Sequence, residues 1–223
     1  MNPLARAWFW ALDYVYVSWW TVHGIVRSTE PARFLEGTRQ PVLLLPGIWE
    51  SWQLMRPVAE RLHECGHPVH VVARLGRNSR AVSEAARIVE AHLDERDLSD
   101  VIIVAHSKGG LIGKFLMMDA DRTHRIDRMI AITSPFSGSS LARYTVLPSL
   151  RSFAPTDPTI RLLVAEQFVN ARITSVFGSF DPHIPDGSEL PGATNIQLPV
   201  AGHFRILGDK QLLETVEAVC TTD

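Results

Sequence analysis

The sequence predicts an α/β protein built on a mostly parallel sheet of about six strands, with helices on both faces. Two observations support this fold class. Short apolar runs recur along the chain, and amphipathic segments with helical spacing separate them. Buried strands that alternate with helices are typical of a parallel sheet covered on both sides. The strand candidates are VLLL at 42–45, VHVVA at 69–73, VIIVA at 101–105, MIAIT at 129–133, ITSVF at 173–177 and NIQL at 195–198.

Composition and charge exclude several classes of protein. The chain has 223 residues, of which 46% are hydrophobic and 21% are charged, so one globular core is expected. Lysine and arginine number 22 against 24 acidic residues, which gives no electrostatic reason to expect nucleic-acid binding. Cys65 and Cys220 are too few for a disulfide framework and lack the spacing of a redox or zinc motif. We therefore predict a reducing, cytoplasmic location, and the sequence leaves the oligomeric state open.

An aromatic segment at residues 7–26 predicts an N-terminal helix ahead of the main domain. It contains four of the six tryptophans and two of the three tyrosines, and as a helix it is long enough to cross a bilayer. Asp13 interrupts it, and a carboxylate at mid-membrane is unfavourable by about 2.5–3.5 kcal/mol. Three interpretations stay open: a helix packed on the main domain, a helix lying on a membrane surface, and a true span. We assign residues 1–40 to the helix and linker and residues 41–223 to the main domain.

Apolar stripes predict the helices that cover the sheet. Apolar positions recur every three or four residues between the strand candidates, which places them on one face of a helix. The connection at residues 135–171 differs, because it carries Pro148, Pro155 and Pro158 after its first residue, Pro135, and spans more residues than one crossover helix needs. We expect it to hold a helix and a cap, or lid, above the functional site.

A candidate nucleophile lies directly after the VIIVA strand. The string AHSKGG, residues 105–110, joins this strand to a helical segment. Small residues two positions on either side of Ser107 allow the strained backbone of a nucleophile elbow, and the helix points its first amides at the hydroxyl. An N-cap serine is the alternative role. We expect the side chain of Lys108 to point toward solvent or toward a polar end of the substrate.

A serine nucleophile needs a base and an acid, which are expected at the ends of later strands. His203 follows the NIQL strand and Asp181 follows the ITSVF strand, so both can approach Ser107 from one edge of the sheet. His203 is the predicted base rather than His183, because His183 lies only two residues from Asp181 on the same loop. Asp186 is the alternative acid.

The predicted oxyanion hole uses two backbone amides. One belongs to Lys108, directly after the serine, and the other to Ile48 in the glycine turn LPGIWE at residues 45–50. Two amides at this place would bind the negative oxygen of a tetrahedral intermediate. A tight strand-to-helix turn with Trp49 and Trp52 on the surface is the alternative interpretation of this segment.

These motifs resemble the α/β-hydrolase fold, and within it the small bacterial lipases and esterases with an A-H-S-x-G-G elbow. The resemblance covers roughly residues 41–219: PVLLLPGI is similar to the oxyanion strand and loop, AHSKGG to the elbow, SFDPHIP to the acid loop and GH to the histidine loop. Pro46 departs from the family, which usually has histidine there, and the minimal lipases lack an aromatic N-terminal helix and a connection as long as residues 135–171. The site residues that the resemblance implies are Ser107, Asp181, His203, Ile48 and Lys108.

We expect hydrolysis of a small-molecule or lipid carboxylic ester through an acyl-enzyme, with no metal or organic cofactor. The same triad would serve a thioesterase, amidase, lactonase or acyltransferase, so these reactions stay open. A catalytically silent fold that binds a membrane or a partner is an alternative of another class. Removal of residues 1–27 is expected to abolish membrane contact and leave turnover of a short ester.

Residues 63–70 contain several histidines and a cysteine, which are possible metal ligands, but we do not interpret them as a metal site. His63, Cys65, His67 and His70 are close in sequence, but they fall on a helix end, a turn and a strand. Histidine ligands of a metal are usually held by nearby acidic groups, and no acidic group that would hold these side chains is evident from the sequence. We therefore expect no metal there.

Overall fold

The computed structural model describes residues 2–26, 29–119 and 125–221, and within them a six-stranded sheet forms the centre. The strands are β1 (Val42–Leu45), β2 (Val69–Val71), β3 (Val101–His106), β4 (Ile126–Ile132), β5 (Ile173–Phe180) and β6 (Thr194–Ala201). All neighbours pair in parallel, in the order β2-β1-β3-β4-β5-β6. The predicted α/β fold class is confirmed. β4 begins earlier than predicted, and β5 and β6 continue further at their carboxyl ends.

Helices cover both faces of this sheet. They are α1 (Pro3–Val26), α2 (Arg56–Glu64), α3 (Val82–Glu95), α4 (Lys108–Met117), α5 (Pro148–Arg151), α6 (Pro158–Ala165) and α7 (Lys210–Thr221). Successive strand residues point to opposite faces. Leu43 and Ile103 therefore join the core shared with α3 and α4, whereas Leu44 and Val104 join the core shared with α2 and α7. Two apolar layers hold the sheet between its helices.

The N-terminal helix α1 packs on the α2 and α7 side of the sheet. Tyr16, Val17 and Trp20 contact that core, and Asp13 is fully buried. In the part of the chain that the structure describes, no helix has both the length and the apolarity needed to cross a membrane. The inner side of α1 thus belongs to the core, while its outer side presents aromatic rings to solvent.

Residues 135–171, where a cap is expected, form several short helices in place of one crossover helix. A 3₁₀ helix at Ser140–Tyr144 precedes α5 and α6. The Oγ of Ser139 donates to the carbonyl of His183 at 3.0 Å, and the amide of Ser140 donates to Oδ2 of Asp186 at 2.6 Å. These bonds fix the beginning of the segment to the loop after β5.

Strand order brings four loops to one edge of the sheet, because parallel strands all end at that edge. The loops follow β1, β3, β5 and β6. Phe180 pairs with Ala201 at the end of β5 and β6, and the amide of Gly202 donates to Phe180 O at 2.8 Å. The loops that carry Asp181 and His203 therefore start next to each other, although the two residues are 22 positions apart in the chain.

Candidate active site

Ser107 occupies a sharp turn between β3 and α4, with φ of 51° and ψ of −119°. Non-glycine residues rarely adopt this left-handed backbone, and the surroundings must hold it in place. A Cβ on Gly109 would approach Leu45 O to 2.1 Å, and a Cβ on Gly110 would approach Ser134 Oγ to the same distance. Gly109 thus lets the start of α4 lie directly against β1, and Gly110 lets it lie against the segment after β4. The backbone at Ser107 thus makes the tight strand-to-helix turn that the sequence predicts.

His203 and Asp181 form a hydrogen-bonded pair. Nδ1 of His203 lies 2.7 Å from Oδ2 of Asp181. Oδ1 of Asp181 accepts the amides of His183 at 2.8 Å and Ile184 at 3.0 Å, so both carboxylate oxygens have partners. An imidazole held at Nδ1 by a carboxylate keeps its proton there and can exchange a proton at Nε2. The alternative acid, Asp186, contacts the cap segment instead.

The charges around this pair shift its titration. Burial opposes the protonated imidazole, but the Asp181 carboxylate, followed by Glu50 and Asp13, outweighs burial and raises the pKa of His203 above the usual 6.5. Burial also opposes ionisation of Asp181, yet His203 and the two amide donors lower the pKa of Asp181. Burial, reinforced by the charge of His203, lowers the pKa of His183 to about 4. The site therefore pairs a carboxylate with a basic imidazole beside a second, neutral one.

Ser107 and His203 border one cavity of about 430 Å³. Ile48, Leu141 and Phe153 contribute to its largely apolar wall. Among the described residues no hydrogen bond joins Ser107 Oγ to the His203 ring. Contacts between a nucleophile and its base are often long before substrate binds and shorten in the complex. The structure thus brings the predicted serine and histidine to the same cavity, and it joins the histidine to the predicted acid.

The two predicted amide donors lie in the loop after β1 and at the first residue of α4. Ile48 borders the cavity, and the amide of the preceding Gly47 is already used by Oε2 of Glu50 at 2.8 Å. Trp49 follows with a φ of 59°, so this loop is also held in a left-handed conformation. Lys108 is the first residue of α4, where the amide has no acceptor inside the helix.

The prediction for the Lys108 side chain is wrong. It is buried, and its Nζ donates to the carbonyl of Asn78 at 2.8 Å and to the carbonyl of Arg80. Burial lowers its pKa to about 8, against an opposing contribution from Glu84. The ammonium group binds the backbone of the loop before α3, where two carbonyl acceptors compensate its loss of water. It therefore points neither to solvent nor toward a substrate.

Two further buried residues, which sequence reasoning left without a role, connect three loops of the site. Oε2 of Glu50 lies 2.8 Å from Nδ1 of His106, and Nε2 of His106 donates to the carbonyl of His203 at 3.0 Å. Together with the bond from the Gly47 amide to Glu50, these hydrogen bonds connect the loop after β1, the serine turn and the histidine loop. The available signal was a carboxylate and an imidazole beside apolar strands, since buried polar groups need partners.

The same group could suggest a metal site. Ligand atoms of Glu50, His106 and His203 lie within 4.8 Å of one another. Hydrogen bonds already use a carboxylate oxygen of Glu50 and both ring nitrogens of His106, so we interpret the group as a hydrogen-bonded chain. In the segment of residues 63–70, His67 Nδ1 donates to the Gln40 carbonyl at 2.8 Å, and His70 contacts the ring of His92. These contacts point away from a common ligand set.

A family model described as the alpha/beta hydrolase family matches residues 42–213. The chain belongs to the alpha/beta hydrolase family. This membership accounts for the parallel sheet and for the tight turn at Ser107, and hydrolase is the enzyme class that it supports. No curated protein matches the chain in sequence.

Solved structures of several hydrolases share the fold at low identity. A structure of the metagenome-derived lipolytic enzymes LipS and LipT is 16% identical, with 83% of this chain and 94% of that chain covered and a TM-score of 0.64. The mature lipase BlEst2 of Bacillus licheniformis is 15% identical, with 82% and 93% covered and a TM-score of 0.60. A deformylase of N-formylmaleamic acid from Pseudomonas putida S16 is 18% identical, with 82% and 93% covered and a TM-score of 0.60. At these identities the likeness shows the fold.

Proposed function

We propose that this hydrolase cleaves carboxylic esters through an acyl-enzyme on Ser107, with His203 as base and Asp181 as the residue that orients it. The observation that carries the proposal is the 2.7 Å bond between His203 and Asp181, at a cavity that Ser107 also borders. A serine becomes a nucleophile only beside a base, and a carboxylate on Nδ1 leaves Nε2 to accept the serine proton.

The reaction would proceed in two halves. Ser107 Oγ attacks the ester carbonyl while His203 takes the hydroxyl proton, and the amides of Ile48 and Lys108 stabilise the negative oxygen of the intermediate. Collapse of that intermediate breaks the carbon–oxygen bond, and His203 returns the proton to the leaving alcohol. Water then gives a proton to the same imidazole and attacks the acyl-serine. As the bond between the acyl carbon and Oγ breaks, His203 returns that proton to Ser107 Oγ and the carboxylic acid is released.

The cavity favours substrates with an apolar acyl chain. Its volume of about 430 Å³ lies within the usual range for small-molecule sites. Leu141, Leu150 and Phe153 of the cap segment line it together with Val17 of α1. Apolar walls supply binding free energy in proportion to the buried apolar surface, so longer acyl chains should bind more tightly until the cavity is full.

The test combines active-site labelling with an ester series. We expect wild type to react with a fluorophosphonate probe, Ser107→Ala to lose labelling and turnover, and Ser179→Ala, a serine outside this cavity, to keep both. A p-nitrophenyl ester series of increasing acyl length, alongside matched amide and thioester substrates, then identifies the bond and chain length preferred. Wild type that neither reacts with the probe nor hydrolyses any substrate would indicate a catalytically silent fold.

We also propose that the outer face of α1 lies on an anionic membrane surface. Trp8 and Trp19 on this face are 61% and 66% exposed, and amphipathic aromatic rings favour the headgroup region. Residues 3–26 contain Asp13 as their single acidic residue, and it is buried, so the exposed face carries no carboxylate that would repel anionic lipid. Tyr14 and Val17 of the same helix border the cavity, so membrane contact would bring its rim near the lipid.

Vesicle co-sedimentation tests this contact. Wild type should sediment with phosphatidylcholine–phosphatidylserine vesicles, Trp8→Ser/Trp19→Ser should stay in the supernatant, and Phe168→Ser should behave as wild type. Phe168 is the matched control because it is an exposed aromatic residue outside α1, 63% accessible. Equal sedimentation of all three proteins would contradict the proposal, as would a dimer of two copies that the double variant dissociates.

A further inference from the structure

Asp13 is a carboxylate and the only fully buried residue among the described residues of the aromatic helix α1. Its exposure is 0%, and its oxygens accept three consecutive backbone amides on the opposite end of the chain. Oδ2 accepts the amide of His203 at 3.0 Å, and Oδ1 accepts the amides of Phe204 at 2.8 Å and Arg205 at 2.9 Å. A buried carboxylate is stable only when such charge-assisted bonds replace its water.

The loop is shaped to admit this carboxylate. Gly202 has a φ of 120°, and a Cβ at that position would lie 2.6 Å from Asp13 Oδ1. Glycine therefore permits both the backbone conformation and the close approach of α1. The close approach of the N-terminal helix thus explains why glycine precedes His203 in the histidine loop.

Other bonds hold His203 from the remaining directions. Its carbonyl accepts Nε2 of His106 at 3.0 Å, and its ring is bonded to Asp181 at 2.7 Å. Asp13 accepts the bond from the amide of His203. The position of the imidazole therefore depends on contacts at the amide, the carbonyl and the ring of this one residue. A shift of about 1 Å in a catalytic group can lower the rate by roughly 100-fold.

We propose that Asp13 is a positioning residue for His203, which makes α1 a part of the active site. Asp13 fixes the backbone of residues 203–205, and thereby the imidazole, relative to Ser107. The inference rests on the proposed function for its effect on catalysis, whereas its effect on the His203 ring is independent of any substrate.

The charge of Asp13 provides a signature that a merely structural contact would not give. The groups that face His203 are the carboxylates of Asp181, Glu50 and Asp13 and the imidazoles of His183 and His106. Because the Asp13 carboxylate favours the protonated ring, its replacement by a neutral amide should lower the pKa of His203.

The experiment compares Asp13→Asn with Val15→Ala, an exposed position on the same helix. NMR titration of the His203 ring in the full chain should show a lower pKa in Asp13→Asn and no change in Val15→Ala. For a p-nitrophenyl ester, kcat/KM should fall about 10- to 100-fold in Asp13→Asn at unchanged folded fraction, and its acidic limb should move to lower pH.

The outcomes separate this inference from the proposed function. An unchanged His203 pKa together with wild-type kcat/KM in Asp13→Asn would overturn the role of Asp13. A lowered pKa in a chain that hydrolyses no ester would instead overturn the proposed function and support the positioning contact. Asp13→Ser, which keeps an oxygen acceptor in a smaller side chain, provides the same readouts if Asp13→Asn fails to fold, and a wild-type titration and rate there would contradict the proposal.

Discussion

Several residues around the cavity keep a backbone conformation that non-glycine residues rarely adopt. Ser107, Trp49 and Thr133 have φ values of 51°, 59° and 45°. Such conformations cost about 1–3 kcal/mol each and persist only where surrounding contacts fix them. Here the amide of Ser107 donates to Ile132 O at 2.8 Å, and that of Thr133 donates to Val176 O at 2.9 Å. Three of the six non-glycine residues with positive φ in the described part of the chain therefore lie at the edge of the sheet where the proposed chemistry takes place.

The pH dependence of turnover follows from the environment of His203. A general base must be neutral, and the net effect of its surroundings raises the pKa of His203 above 6.5. We expect kcat/KM for a short ester to rise with pH along an acidic limb whose midpoint lies above 6.5. Asp181→Asn removes the largest charge that favours the protonated ring, so it should move this limb to lower pH and reduce kcat by about 10²- to 10⁴-fold. A pH–rate profile with a wild-type midpoint below 6.5 would contradict the assignment.

Helix α4 carries a buried lysine, Lys114, that does not stabilise the fold at neutral pH. Lys114 is fully buried, and within the described residues its Nζ has no hydrogen-bond partner, although it lies 6.0 Å from the centre of the Phe136 ring. Burial lowers the pKa of Lys114 to about 8, with an opposing contribution from Glu166. The protonated side chain is thus a cost to the fold at neutral pH, because a buried ammonium loses its hydration.

Replacement of this lysine should stabilise the protein. We expect Lys114→Met to raise the free energy of unfolding by about 1–3 kcal/mol at pH 7. Between pH 8 and 10.5, the usual pKa of lysine, the unfolded chain binds more protons than the folded one, so the stability of the wild type rises with pH. The stability advantage of Lys114→Met over the wild type should therefore shrink in this range. Denaturant unfolding at pH 7 and pH 10 measures both effects. Lys210→Met, at an exposed side chain, is the control, and equal changes in both variants would refute the prediction.

At the scale of the whole molecule, α1 connects the outer surface with the proposed active site. Its outer face is aromatic and exposed, its inner side contributes Tyr14 and Val17 to the cavity, and Asp13 binds the histidine loop. These contacts change the expectation drawn from the sequence, in which the main domain alone would turn over a short ester. The helix and the main domain line the same cavity.

Deletion of residues 1–27 should therefore lower ester turnover as well as vesicle binding. The truncated chain loses the acceptor of three amides around His203 and exposes the core residues that Tyr16, Val17 and Trp20 cover. We expect at least a 100-fold loss of kcat/KM, in line with a displaced catalytic group. Far-UV circular dichroism reports whether the sheet survives, and full turnover by the truncated chain would show that α1 is dispensable for catalysis.

The fold and the main candidate site residues could be predicted from the sequence because their signals are local. Each strand is a short apolar run between turns, and Ser107, Asp181 and His203 each lie a few residues after the end of such a run. In a parallel sheet the ends of strands share an edge, so order along the chain is enough to suggest that these residues approach one another. The roles assigned to them stay predictions that the labelling and titration experiments test.

Other features depended on contacts that no local pattern encodes. Asp13 and His203 are 190 positions apart, and Glu50 and His106 are 56 positions apart, so neither bond leaves a periodic trace in the sequence. The side chain of Lys108 could equally have reached solvent, and its burial depends on where the loop before α3 offers its carbonyls. Periodicity and spacing among neighbouring residues were enough to predict the parallel sheet and the tight turn at Ser107, and to propose an acid and a base later in the chain. The partners of the buried charges became visible only in the folded chain, because packing distant segments together removes the water that would otherwise solvate those charges.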